Sequence, residues 1–520
     1  MDPLLHIFKD KVNGIIEGFD RIIFKGTLKP FTYAAGIQSF LLNHKVLNKY
    51  YKDWIQEKSR VIVEDASTLS LHQCGRDIRY LSSPNIRKEE LAHQEQKESG
   101  RTSGLIAVYA CVESCNTFKA VYNKQNGFPE LKYKKSKCKH LYFYYDHEEL
   151  GFMSIRLQTW APFSVQIALN GRQWLRRQLD KEGVPYLLSG NKFLHIEDYS
   201  LAQTLLNKQL DTRWADLFNR FVCEVFPSAP FFLEDGIHYT WTVQQSEWAK
   251  DYIFCDPESL NQYLGSLMRH AYLSGTSDRV LRYMGKPVMK NGQPYPNANP
   301  QVMSRVNTWY DGMRIRHWLD QNSVKCYNEQ CVFRIEFTMN DPKKFLIYRE
   351  VTGGKSGEKK QLAMRKGIAD LVVRTQVCSD RIKNFTEQLA TLKEEVTVGE
   401  LVSAVSKALK RKGKRYRGLE VTGKDLELLR EIGDPKYNVE PISNKRLREA
   451  LCKSEWSKGH SGRSLSARIS RHLRLLREHG LIKKLPNQHK YVLTDKGRKL
   501  TTALTQFLGA KVDDLNKLAA

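Results

Sequence analysis

The chain is short of acid. Its 520 residues include 57 Asp and Glu against 83 Lys and Arg, which leaves a formal charge of +26. An imbalance of that size disfavours a basic or neutral partner and predicts a polyanion, because each phosphate neutralised by a Lys or Arg releases condensed counterions. Long apolar runs are missing as well, so no membrane-spanning helix is expected, although an anionic membrane surface would respond to the same charge. The opening MDPLLHIFKDKVNG has no signal-peptide core and no lipidation motif closes the sequence, so a cytoplasmic protein with no membrane partner is expected. Cysteine is sparse, with 10 residues; in a reducing compartment these read as thiols or metal ligands rather than a disulfide framework.

Several catalytic signatures are also absent. There is no Gly-x4-Gly-Lys-Ser/Thr loop, so no nucleotide-driven motor is implied, and the kinase, α/β-hydrolase and zincin patterns do not occur. None of the 14 His stands two places from another, which removes the His-hydrophobic-His metal site of rolling-circle initiators. His460-Ser-Gly-Arg463 followed by Tyr491 satisfies the letters of a tyrosine recombinase, but its helical frame belongs to another pattern. No internal repeat or low-complexity tract appears. What is present, 41% hydrophobic and 11% aromatic residues, is enough to build cores in roughly three or four domains.

The most legible region is the C-terminal one. Leu465, Ile469, Leu473 and Leu476 form one stripe of a helix with Ser464 as N-cap and Gly480 as stop. Its other faces carry Arg468, Arg471, Arg474 and Arg477, with Arg463 just ahead. LIKKL and KYVLT follow as a short hairpin around PNQH, with a helix from Thr494 or Asp495 beyond; helices are also expected over Thr422–Gly433 and Ser443–Cys452. Residues 419–508 thereby resemble the winged helix-turn-helix superfamily, and the pattern LSARISRHLRLLREHGLI, a Lys-rich hairpin and LTDKGRKL is similar to bacterial regulators of the MarR and ArsR type. The resemblance implies that Ser464, Ser466, Arg468 and Arg471 lead a helix into a major groove, with Arg463 and Arg474 beside them. It also implies that Lys483, Lys484, His489 and Lys490 lie along phosphates. The preceding run KALKRKGKRYRG holds Lys410, Arg411, Lys412, Lys414, Arg415 and Arg417 and no acid, and reads as a basic arm on a phosphate backbone or as a solvated linker.

The rest of the chain reads as an α+β body containing antiparallel strands. Strands are expected at GFDRIIFKGTL, GLIAVYACV and KFLHIED, and a hairpin at HLYFYYDHEELGFMSIRLQTW; helices are expected at GRQWLRRQLDKEGV and LAQTLLNKQL. The Pro, Gly and Asn-rich stretch 285–300 marks a boundary between a body over 1–284 and a second α+β segment over 301–400, followed by a basic linker over 401–418, the winged helix and a tail over 509–520. FDRIIFKGTL, LNGRQWLRRQLD and RIEFTMNDPKKF, with the hairpin sequence, resemble an uncharacterised bacterial family that carries a C-terminal winged helix. That resemblance supplies no chemistry.

Two constellations in the body suggest sites. Asp20, Asp146 and Glu336 stand at strand positions, with Asp341 just beyond, and strand carboxylates about 4 Å from shared Mg²⁺ or Mn²⁺ ions perform two-metal phosphoryl transfer in ribonuclease-H-like nucleases and transposases. The alternative is that each acid pairs with a Lys or Arg, and that outcome excludes two-metal chemistry at these residues. Cys111-x3-Cys115 with Cys138-x-His140 offers four ligands for a structural Zn²⁺, and the alternative is ordinary packing of small thiols.

Two function classes follow. One is a DNA-processing protein of a mobile element, a nuclease, transposase or recombinase-like enzyme that finds its site with the winged helix. The other is a non-enzymatic regulator or a ribonucleoprotein scaffold binding DNA or structured RNA. A body of some 400 residues exceeds what repression requires, which favours the first. Trp beside Arg in RLQTWAPF, RQWLRRQ and TRWADLF can stack on unpaired bases or fill the core.

Overall fold

The structure is a computed structural model that describes residues 2–286, 289–290, 293–294, 302–309, 312–351, 358–390, 398–411, 413–434, 436–439, 441–486 and 488–509. Most of the expected boundary at 285–300, Lys412 and all but the first residue of the expected tail lie outside the described residues. The chain forms two compact units, Met1–Tyr272 with Met303–Leu389, and Leu273–Val302 with Ala390–Ala520. No described helix is long and apolar enough to cross a membrane.

The first unit is built on an 11-stranded sheet, mixed with helices as an α+β fold. Across it run Val302–Trp309, Gly312–Leu319, Asn322–Glu329, Val332–Met339, Tyr239–Phe254, Val12–Leu28, Val165–Asn170, Gly151–Gln158, Phe128–His147, Gly104–Asn123 and Arg79–Leu81. The described pairings are antiparallel except the Arg79–Leu81 edge, which is parallel to its neighbour. Strands from either side of the Pro and Gly-rich stretch therefore meet: Val332–Met339 pairs directly with Tyr239–Phe254. The expected hairpin turn at DHEELG is present between His147 and Gly151.

Near the middle, Val12–Leu28 pairs with Tyr239–Phe254 through a register shift between Phe19 and Arg21, which leaves Asp20 as an extra residue. Such a bulge bends the strand and re-aims a side chain. The helix Gly171–Glu182 begins directly over it. Asn170 caps that helix by accepting from the Arg172 and Gln173 amides, and Gly183 closes it at φ 67°. A Cβ on Gly171 would come within 1.9 Å of the Phe19 carbonyl oxygen, so only glycine allows this approach of helix to strand.

The approach carries Arg172 into the interior. Its Nη2 lies 2.9 Å from Asp251 Oδ2, and Arg334 donates to the same carboxylate from Nε (2.5 Å) and Nη2 (2.8 Å). The third nitrogen of Arg334, Nη1, donates to Asp20 Oδ1 at 2.6 Å. All of Arg172, Asp251 and Arg334 are buried. Burial opposes ionisation of Asp251, but the two guanidinium groups hold its carboxyl below the usual range.

In the second unit, a helix over Val398–Ser406 leads into the short hairpin Leu409–Arg411 and Lys414–Tyr416, where a linker or arm was expected. Helices over Leu426–Ile432, Asn444–Leu451 and Gly462–Glu478 follow. The hairpin Ile482–Lys484 with Lys490–Leu493 is joined by Ile442–Ser443 into a three-stranded sheet, and the helix Asp495–Gly509 comes last. Leu465, Ile469, Leu473 and Leu476 are buried together with Leu429, Leu447 and Leu500, as the apolar stripe requires. The arginine-bearing helix starts earlier than its capping signal suggests, at Gly462 after Ser461. Ser464 lies inside it and is not the cap.

Removing the Asp251 charge takes from buried Arg172 its carboxylate partner and leaves buried Arg334 with the Asp20 carboxylate alone. Asp251→Ala is expected to lower stability by about 3–5 kcal/mol, measured by urea denaturation; a loss below about 1 kcal/mol would show that the network contributes no more than a surface pair.

Candidate functional site

The bulge, the buried network and the helix Gly171–Glu182 border a cavity of about 910 Å³ in the first unit. Asp20, Asp146 and Glu247 line it together with Arg21, Arg101, Arg176 and Arg177. Ligand atoms of Asp20, Glu247 and Glu336 lie within 4.8 Å of one another, the one such group of three metal-ligating side chains among the described residues. These carboxylates come from three adjacent strands. Glu336 stands beside Ala249, two residues from Glu247 and thus on the same side of the sheet, while the bulge turns Asp20 toward them.

The expected two-metal centre is corrected on two counts. Asp146 is not part of the convergent group: its carboxylate takes Arg177 Nη2 at 2.5 Å and Gln96 Nε2 at 2.8 Å. In addition, Asp20 is paired with Arg334 at 2.6 Å and Glu336 with Lys325 Nζ at 2.6 Å. Each of the three acids thus faces a basic partner, and Asp20 shares Arg334 with Asp251. Asp341 is elsewhere, accepting from the Lys343 amide at 3.2 Å to cap the turn Pro342–Lys344.

Glu247 is the member the sequence reading did not reach. It accepts from Gln245 Nε2 at 2.8 Å and forms no ion pair among the described residues. A period-two signal was available, since Tyr239, Trp241 and Val243 alternate as buried residues along its strand. Nothing in the sequence marks Glu247 as the neighbour of Glu336. The donor set is three carboxylates, two of them already held by bases.

The expected zinc ligands do not assemble either. Cys111 faces His140 across paired strands, and the Cys138 thiol donates to Cys115 Sγ at 2.7 Å and lies 4.0 Å from His140 Nδ1. The four do not form a metal-ligand group. Burial lowers the His140 imidazole to about 4 and raises the Cys111 thiol. They pack as small core side chains between strands.

In the second unit the basic candidates divide into two sets. Arg463, Arg471 and Arg474 are exposed on the helix Gly462–Glu478, along with Ala467 and Ser470; positions 463, 467, 470, 471 and 474 recur at helical spacing and share one face. Lys483, Lys484, His489 and Lys490 are exposed on the hairpin. Lys410, Arg411, Lys414 and Arg415 are exposed on the preceding hairpin, where Lys410 stands opposite Arg415 and Arg411 opposite Lys414. Like charges directly across a ladder destabilise it unless an anion neutralises them.

Residues of the other set also make contacts within the protein. The Arg468 guanidinium lies over the Trp456 ring at 4.5 Å. Ser466 donates to Asn444 Oδ1 at 3.0 Å and joins two helices, while Ser464 is hydrogen-bonded to His460 Nδ1 at 2.7 Å. Arg417 donates to both oxygens of buried Asp425 (2.7 and 2.8 Å) and anchors the chain there. Trp174 and Trp214 are core residues of the first unit, not platforms for bases.

No protein-family model, curated protein or solved structure matches this chain.

Glu336 yields a pH test. Burial raises its carboxyl to about 7 against the opposing pull of Lys325, from an ordinary value of 4.5. A raised carboxyl favours the protonated folded state, so its contribution is complete below pH 4.5 and is lost as pH rises through about 7. Stability should fall across that window by up to about 1.4 kcal/mol per pH unit from this group, and Glu336→Gln should flatten the slope. Denaturation midpoints at several pH values measure both; equal slopes in the two proteins would refute the assignment.

Proposed function

We propose that the protein binds nucleic acid and that its C-terminal unit is a winged helix, in keeping with its likeness to MarR- and ArsR-type regulators. One observation carries this reading. The exposed face of the helix Gly462–Glu478 presents Arg463, Arg471 and Arg474 around two small residues, Ala467 and Ser470, and the adjoining hairpin exposes Lys483, Lys484 and Lys490. Small residues let a helix backbone approach a groove floor, arginines at its margins reach guanine edges or phosphates, and hairpin lysines follow the backbone beside it. The reading base contacts then fall to Arg471 with Arg463 or Arg474, since Arg468 is occupied by Trp456.

In functional terms this supports a regulator or ribonucleoprotein scaffold, because Asp20, Asp146 and Glu336 each have a basic partner and Asp341 caps a turn elsewhere. A second reading, DNA processing within a mobile element, is favoured by the convergence of Asp20, Glu247 and Glu336 beside a cavity with arginine walls. That arrangement would hold one divalent ion and the phosphates next to it. Glu247→Gln separates the two: loss of Mn²⁺-dependent cleavage with binding retained supports processing, and absence of any cleavage by the unaltered protein leaves the binding reading alone.

Duplex affinity should fall steeply between low and physiological salt, as counterion release requires. Arg471→Ala is expected to cost about 1–3 kcal/mol at particular base pairs, whereas Lys483→Ala and Lys484→Ala weaken all sequences alike. Arg468→Ala should instead lower the thermal midpoint by loosening its Trp456 contact. Fluorescence anisotropy over a panel of duplexes measures the first two effects; equal, sequence-independent losses at Arg471, Lys483 and Lys484 would show that the helix does not read a groove.

A further inference from the structure

A basic surface in the first unit lies outside everything above. The strands Gly104–Asn123 and Phe128–His147 pair along their full length, from Gly104 opposite Asp146 to Asn123 opposite Phe128. Their neighbours stop early: Arg79–Leu81 pairs only with Tyr109–Cys111, and Gly151–Gln158 reaches only to His140. Residues 112–123 and 128–139 therefore continue as a two-stranded ribbon with no further strand on either side among the described residues. Between residues 119 and 139 the sequence holds seven Lys (119, 124, 132, 134, 135, 137 and 139) and a single acid, Glu130. Glu130 is itself occupied, accepting from Asn123 and Asn126 at 2.7 and 2.9 Å.

The two faces of the ribbon differ. Cys115, Thr117 and Cys138 point to one side and are buried, where the helix Tyr51–Cys74 packs on the strand. Lys135, Lys137 and Lys139 point to the other and are exposed, with Ser114 opposite Lys137 and Asn116 opposite Lys135. Tyr133 continues the same row, packs edge-on against buried Phe118 opposite it at 5.3 Å and is 53% exposed; Tyr122, on the partner strand and the same face, is 63% exposed. The lysine row forms no ion pair among the described residues. On the buried-side register, Lys119 stands directly opposite Lys132, a like-charge pair that costs stability unless an anion screens it.

We infer that this ribbon face is a second nucleic-acid site, and that its ligand is an unpaired strand. Alternate residues of an extended strand are about 6.8 Å apart, so the three lysines form a line of charges that tracks one phosphate backbone. An exposed tyrosine at the end of that line offers a stacking platform, and the combination of a basic track with aromatic rings is the chemistry of single-strand binding. A duplex reader inserts long side chains from both strands of a ribbon into the major groove; here the partner strand offers Ser114 and Asn116. The inference is independent of the winged-helix reading, since the residues belong to the other unit.

The test uses the full chain, a fluorescein-labelled oligothymidylate of about 15 nucleotides and a duplex of the same length. K135Q/K137Q/K139Q should weaken the oligothymidylate at least tenfold and reduce the slope of log affinity against log salt by about 2, at roughly 0.7 per lost phosphate contact. Tyr133→Ala should weaken it about fivefold or more. R471A/R474A should leave oligothymidylate binding unchanged while impairing duplex binding, so failure of one site is distinguishable from failure of the other. A folded triple-glutamine variant with unaltered single-strand affinity and slope overturns the proposal. Should that variant be unstable, lysine acetylation of the unaltered protein decides: protection of Lys135, Lys137 and Lys139 by the oligonucleotide supports the site, and equal labelling with and without it overturns it.

Discussion

The carboxylate of Asp251, held between the guanidinium groups of Arg172 and Arg334, is the constraint on which the first unit depends. A buried charge is tolerated only when paired and hydrogen-bonded. Satisfying this one fixes the position of three separate parts of the chain: the strand that carries Asp251, the strand that carries Arg334, and the helix whose glycine start lets Arg172 reach inward. Arg334 then extends the network to Asp20, so the bulge in the long N-terminal strand is tied to the same centre.

That coupling explains why the acids near the cavity are poor evidence for catalysis by themselves. Asp20 and Glu336 are ligand-competent by geometry, yet each is already neutralised, and burial raises Glu336 further. Glu247 stands apart as a carboxylate without an ion-pair partner among the described residues. A cation there would compete with Arg334 and Lys325 for the other two oxygens.

Basic charge on this chain is of two kinds. Arg172, Arg334, Arg374 and Arg417 are structural, donating to buried carboxylates or carbonyl oxygens. The lysines of the ribbon, the arginines of the exposed helix face and the lysines of the hairpins face solvent in rows set by strand or helix periodicity. Part of the chain's basic excess, +26 overall, thus lies in exposed rows, and part is held in internal pairs.

Local pattern alone determined much of this molecule. The α+β body, the DHEELG hairpin, the helix after Asn170 with its glycine stop and the apolar stripe of the arginine helix all follow from period, caps and turn residues, which act over a few neighbours. Asp20 and Glu336, both expected on strands, come within ligand reach of each other, and that proximity follows from the strand order and not from either residue's local pattern. Local pattern did not reach contacts that depend on how elements pack. Asp146 turned to Arg177 and Glu247 took the third position beside Asp20 and Glu336, while Arg468 lies over Trp456 and Arg417 pairs with Asp425. The cysteines and His140 shared a pair of strands without converging. Such choices rest on which strands become neighbours and on the cost of burying an unpaired charge, and only the tertiary structure settles either.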